Sequence, residues 1–453
     1  MEMVARPEQG NHFFVKFDFI KLIQMNKILS IFLIVIQGIL VISCSPSAQK
    51  GQMLIWSSNN YQEIAYVTGK VEKWNSENPG KVIRSQPIPE GQSSEEIILA
   101  SVVGGTTPAI YANMWQGNIE MYAQAGVLVR LDTMPGFMET MAERLTPEAI
   151  KEITSADGHI YQVPWKVNPI MTLYNANMFR EAGLERLPLT YKEYLEAATL
   201  ISKDDDNDGY VDHWIGYTSV LPIWYQRLFN FYPLYLAASN GAPLIINNRA
   251  AFNNEYAVGV FAFLQDLYNK NYYSRQQMTA SQDPFIMEKV ATLLTGPWQV
   301  PYLEKFKPAG MEYGFLPMMV PQETGLPTYT YCDPKNIVIF NTCPDPVTAW
   351  KFLQTIISLE GDFDLLRMTG QFPRRKNIST NPVFEPYFKE YPKLLPFAVQ
   401  ADYLKGVDNH PNIVEVFDII SQEYEACVIY GRKTPEKAVK DAADAVDVLL
   451  KGL

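Results

Sequence analysis

From Met53 to the C-terminus, short apolar runs of strand length alternate with longer segments whose apolar residues recur at helical spacing. That alternation restricts the chain to an α/β architecture and predicts mainly parallel sheets. Met53 to Trp56 reads as the first strand and Ala109 to Ala112 as a second buried run. Ser93 with Glu96 forms a capping box for a helix that ends at Gly104-Gly105. Thr190 and Glu193 form another, followed by Tyr194, Ala197, Ala198 and Ile201 on one face. Asp345-Pro346 starts a helix with Trp350, Leu353 and Ile357 on one side. Thr434-Pro435 starts the last, with Ala438, Val439, Ala442, Val446, Leu449 and Leu450 facing inward.

At 453 residues, 47% hydrophobic and 19% charged, the chain has material for two or three domains or two large lobes, and is neither disordered nor fibrous. Its formal charge of -11 comes from 38 basic and 49 acidic residues with no basic run, which argues against nucleic acid or an anionic membrane surface as main partner. Aromatic residues, 13% of the chain, serve either the core or a binding surface.

The N-terminal segment reads separately from the fold. Lys27 precedes an apolar run from Ile28 to Ser43 that stops at Cys44 and is short for a membrane span of about 20 residues. These are the proportions of a secretory signal; an uncleaved anchor helix is the alternative. Residues 1–24 lie upstream of where such a signal begins, which makes Met25 the expected start. Cys332, Cys343 and Cys427 then allow one disulfide at most and lack zinc-site spacing.

Several segments together resemble one family. Val41-Ile42-Ser43-Cys44 resembles a bacterial lipobox, with residues 25–43 as signal peptide, Cys44 as the acylated N-terminus and residues 44–50 as a tether. Gly104 to Ile110 resembles a small-residue turn, proline and strand, although Ala109 stands where an acidic residue is usual. Ala125 to Asp132, Asp157 to Trp165, Leu173-Tyr174-Asn175, Phe179 to Leu184, Leu294 to Trp298, Thr369 to Arg375 and Thr434-Pro435-Glu436 follow in the matching order. The chain in this respect is similar to the extracellular solute-binding proteins of bacterial ABC importers, in the branch that includes maltose-binding protein.

The resemblance implies a type II-like periplasmic-binding fold of two α/β lobes, lobe 1 from 51–165 and 320–370, lobe 2 from 166–319 and 371–453. Hinge crossings are expected near Pro164 to Asn168, Met318 to Gly325 and Gly370. It also implies a monomer anchored to the cell envelope membrane through Cys44, facing the periplasm or exterior. Such a protein needs no cofactor, holds a small solute between its lobes and docks on ABC permease subunits.

A cleft in open α/β sheets lies beyond the carboxyl ends of strands, so residues after strand runs are the ligand candidates. These are Trp56, Asn59, Asn113 and Trp115, then Trp165 and Asn168 at the expected hinge, and Trp298 in the Gly-Pro-Trp element. Tyr331, Asp333 and Arg374 add hydroxyl partners. Indole faces match the C–H faces of pyranose rings, which favours a carbohydrate. For each Trp the alternative is a core position; Trp224 reads as core beside Phe229 and Phe231.

Asp204, Asp206, Asp208, Tyr210 and Asp212, with Gly209 at position six, have the spacing of a calcium loop, so one structural calcium is expected. Ile215 stands where the bidentate Glu is usual, and a solvated acidic turn is the alternative. An exported carbohydrate-active hydrolase is the rival class, since carboxylates are plentiful. Against it, the four histidines form no HExxH and there is no GxSxG elbow.

Overall fold

The computed structural model describes residues 53–89, 93–209, 211–278 and 283–451. The expected signal, tether, Cys44 and the upstream segment lie outside them, as does Tyr210. Two sheets organise the chain. The first has six strands in the order Phe372–Pro373, Val163–Val167, Lys335–Ile339, Ile110–Trp115, Met53–Ser57 and Ile83–Pro87. The second has four: Tyr313–Leu316, Met171–Asn175, Val290–Thr295 and Trp214–Tyr217.

Parallel pairing is the minority, contrary to the expectation from alternation. Strand Met53–Ser57 is parallel to both its neighbours, and Trp214–Tyr217 is parallel to Val290–Thr295. The other five ladders are antiparallel. Lys335–Ile339 returns from the second sheet and enters the first in reverse direction, between Ile110–Trp115 and Val163–Val167.

Three chain segments lie side by side where the sheets meet. The Asn168 amide donates to Cys332 O at 2.6 Å and the Ile170 amide to Tyr331 O at 3.0 Å. Thr330–Tyr331 in turn pairs in parallel with Leu404–Lys405. The chain passes from the first sheet to the second between Val167 and Met171, returns between Leu316 and Lys335, and leaves the first sheet again after Pro373. Lys166 and Val167 stay in the first sheet, where Lys166 is ion-paired to Glu63. Met318 and Met319 are still buried in the second core. Gly370 is the left-handed cap of helix Leu359–Thr369, with φ 69°, and the chain rejoins the first sheet at Phe372 before leaving it.

Local signals explain the helices. Thr190 and Glu193 make a complete capping box, Ser93 accepts from the Glu96 amide, and Asp345 accepts from the Thr348 amide. In helix Pro435–Lys451, Ala438, Val439, Ala442, Val446 and Leu450 are buried, while Leu449 packs only partly. The first lobe's core gathers Trp74, Trp165 and Trp350; the second gathers Tyr194, Tyr232, Tyr235, Tyr268 and Tyr424. Cys332, Cys343 and Cys427 are buried free thiols, each pushed up by burial.

Two ionisable features carry energetic consequences. Asp362, fully buried, accepts from Arg375 Nε at 2.6 Å and is ion-paired to Arg144. Asp408 accepts the Leu244 and Ile245 amides at 2.7 and 2.9 Å, yet desolvation pushes its carboxyl up to about 6. Between roughly pH 4 and 6 the unfolded chain gives up this proton while the folded chain keeps it, so stability falls as pH rises through that window. Asp408→Asn is expected to flatten the slope, read from urea midpoints at the two ends of the window. An unaltered slope contradicts it.

Candidate functional site

Strand Val290–Thr295 runs into Gly296-Pro297-Trp298, which opens helix Gln299–Phe306. Gly296 is required here: a Cβ would come within 2.1 Å of the Trp298 ring, which folds back over it. Trp298 stays 42% exposed and lines a cavity of about 680 Å³. Opposite it, the segment after strand Trp214–Tyr217 supplies Thr218 and Ser219, and the next turn supplies Gln226, Phe229 and Asn230. Arg227 shapes that wall from behind. Its guanidinium sits 3.9 Å from the Tyr424 ring centroid and donates to Ser219 O and Leu221 O at 3.4 and 3.2 Å. Desolvation pulls its pKa below the ordinary arginine range.

Asp283 is the one charged residue among the described residues lining this cavity. Its carboxylate accepts the Phe285 and Ile286 amides at 2.8 and 3.2 Å, which anchors it to its own turn. The remaining lining combines aromatic faces with hydroxyl and amide groups. Such a surface suits an uncharged ligand with apolar faces and many hydroxyls.

Ring contacts and one hydrogen bond join this cavity to the first sheet. Phe229 meets Trp298 edge-on at 6.3 Å and Tyr331 at 6.1 Å. The Tyr331 hydroxyl oxygen accepts from Trp115 Nε1 at 3.0 Å, and the Trp115 ring lies 5.0 Å from that of Trp224. Gly117 leaves room for the Trp115 ring, since a Cβ there would meet it at 2.2 Å. Trp224, read from sequence as core, is half-buried and closes the contact between the lobes.

A polar cluster flanks the same strand ends. Buried Lys166 is paired with Glu63, which also accepts from Gln371 Nε2 at 3.1 Å. Desolvation pulls the Lys166 ammonium below its ordinary pKa, against the opposing pull of Glu63. Asp333, half-buried at φ 37°, lies 3.4 Å from the Tyr331 hydroxyl and 3.7 Å from Lys335. Lys335 also faces Glu95 at 3.9 Å.

Of the residues expected to touch ligand, the structure brings Trp115, Tyr331, Asp333 and Trp298 into one connected group. Trp165 is a correction: it is fully buried in the first-lobe core against Tyr66, because alternation along Val163–Val167 sends it to the opposite face from Lys166. Trp56 is likewise core, packed with Ile88, Ile98 and Tyr111. Asn59 is exposed beside Asn60, the cap of helix Tyr61–Glu77, and Asn113 is half-buried in its strand. Asn168 is buried where the two sheets meet, its Oδ1 without a hydrogen-bond partner among the described residues. Arg374 lines a different cavity, with Tyr329 and Tyr403, and its Nη2 lies 3.6 Å from Glu152.

The acidic loop brings one oxygen each of Asp204, Asp206 and Asp208 within 4.8 Å of one another. Loop amides bond to the same carboxylates. Asp204 accepts from Asp208 and Gly209, Asp206 from Asp208, and Asp212 from Asp205, while Ile215 at position twelve is buried in the core.

Thr218, Ser219, Gln226, Phe229 and Tyr302 line the cavity without having been expected there. Thr218 and Ser219 obey the strand-end rule; Tyr217 ends a strand of only four residues, too short to stand out.

A match to the family described as bacterial extracellular solute-binding protein covers residues 71–396. The sn-glycerol-3-phosphate-binding periplasmic protein of Escherichia coli is 23% identical over 434 residues, covering 87% of this chain and 92% of its own. Among solved structures, an uncharacterized protein of Listeria monocytogenes superposes with TM-score 0.78 at 24% identity, over 88% of this chain and 99% of its own. The sugar-binding protein MalE from Xanthomonas citri superposes with TM-score 0.73 at 18% identity, over 88% and 98%.

Proposed function

Since this chain belongs to the bacterial extracellular solute-binding proteins, we propose that it captures a carbohydrate beside Trp298 and delivers it unaltered to an ABC permease. The observation that carries this reading is the lining: aromatic faces beside hydroxyl and amide groups, with no lysine or arginine among the described residues that line the cavity. A phosphate ester, as the Escherichia coli relative's name specifies, would need a cationic partner in a low-dielectric cavity. The sugar named for the Xanthomonas citri neighbour agrees with the lining instead.

Capture is reversible. A solute that contacts both lobes only when they approach shifts the open and closed populations by its differential affinity for the closed form. The three adjacent segments at residues 168–170, residues 330–332 and Leu404–Lys405 allow a rotation shared among a few backbone torsions. The permease ATPase supplies the energy, so this chain turns nothing over.

The proposal includes acylation of Cys44 and anchoring in the envelope membrane. Among the described residues, no helix is long and apolar enough to cross a membrane. Incorporation of labelled palmitate, lost in Cys44→Ser, tests the anchor. A thermal-shift screen of the mature chain against neutral sugars, polyols and sugar phosphates tests the solute class, because a ligand that prefers the folded state raises its melting temperature. Neutral sugars are expected to give the shift; a shift confined to phosphate esters contradicts the reading.

A further inference from the structure

Helix Gln299–Phe306 buries Val300 and Leu303 and turns a different face outward. That outer face carries Trp298, Tyr302 and Phe306, which are 42%, 38% and 52% exposed. Their spacing of four residues stacks them on successive turns, about 6 Å apart along the axis. Large aromatics left about half exposed on successive turns form an apolar patch that marks a contact surface.

The stripe is continuous with the cavity. Trp298 and Tyr302 both line it, and Phe306 lies one turn beyond. Tyr302 and Phe306 sit with ring centroids 5.0 Å apart at 50°, and Lys305 Nζ lies 5.0 Å from the Phe306 centroid. Resting on the carbohydrate reading above, we propose that the ligand is an oligosaccharide whose chain leaves the cavity along this helix, stacking on Tyr302 and then Phe306. One turn of helix advances by roughly the length of one sugar unit, so each ring offers a separate platform. The apolar ring faces meet C–H faces of the sugars, while hydroxyl edges stay in water.

The test is calorimetric titration of the mature chain with two series, maltose to maltoheptaose and cellobiose to cellohexaose, on wild type, Tyr302→Ala and Phe306→Ala. Affinity is expected to rise by about tenfold or more from the disaccharide to the longer members of the series that binds. Phe306→Ala, at an exposed position, should abolish the last part of that gain and leave disaccharide affinity unchanged. Tyr302→Ala should weaken both. Length-independent affinity, or a gain that survives Phe306→Ala, overturns the proposal and reassigns the stripe to a protein contact such as the permease. Binding of neither series while another neutral sugar raises the melting temperature overturns it and leaves the carbohydrate reading in place; binding of no neutral sugar in either experiment removes both.

Discussion

Asp362→Ala is expected to lower the free energy of unfolding by about 3 to 5 kcal/mol, because it leaves buried guanidinium charge without its counterion. Arg144 is 1% exposed and Arg375 8%, and both donate to Asp362 Oδ2. The cluster ties helix Leu359–Thr369 to helix Phe137–Arg144, and Arg144 Nη2 reaches Pro164 O and Arg374 O at 3.4 and 3.2 Å. It thus braces the edge of the first sheet formed by Phe372–Pro373. Desolvation raises the Asp362 carboxyl and lowers Arg144, opposed in each case by the partner's charge. Urea denaturation of the single mutant beside an Arg144→Met, Asp362→Leu, Arg375→Met triple mutant measures the effect. The triple mutant should recover much of the loss, since no buried charge is then left unpaired and Glu143, the remaining partner of Arg375, is exposed. A single mutant as stable as wild type contradicts the assignment.

Trp298→Ala should weaken ligand binding by about 1 to 3 kcal/mol, through loss of the apolar area and stacking geometry of one indole. The ring is held by Phe229 on its edge and by its fold over Gly296, so its orientation is built before ligand arrives. Gly296→Ala offers a second route to the same site. Its new methyl group would enter the volume of the Trp298 ring and turn it out, weakening binding with the indole still present. Affinity by calorimetry, with the unfolding transition as a control for folding, reads both. Unaltered affinity in a folded Trp298→Ala protein removes Trp298 from the site.

The α/β class and the helix starts were legible because caps and periodicity are local. Thr190 with Glu193, and Asp345 before Pro346, need only neighbours within one turn. Sheet register is not local, and the misplacements follow from that. Trp165 follows an apolar run just as Trp115 does, but only the pairing partners decide which face a strand residue presents. The same limit hid the direction of Lys335–Ile339, whose antiparallel entry depends on where the chain has been. Of the site, the resemblance singled out Trp298 through Gly-Pro-Trp. Phe229 and Arg227 carry no such motif: one becomes a wall by meeting Trp298 and Tyr331, the other a brace by meeting Tyr424 and the Ser219 carbonyl.

The most direct test of reversible carbohydrate capture is titration of the mature chain with each sugar that raises its melting temperature, followed by mass analysis of the recovered ligand. The predicted result is saturable one-to-one binding, with the sugar released unaltered after denaturing the protein. No saturable binding by any sugar, or recovery of a cleaved or modified product, would contradict it.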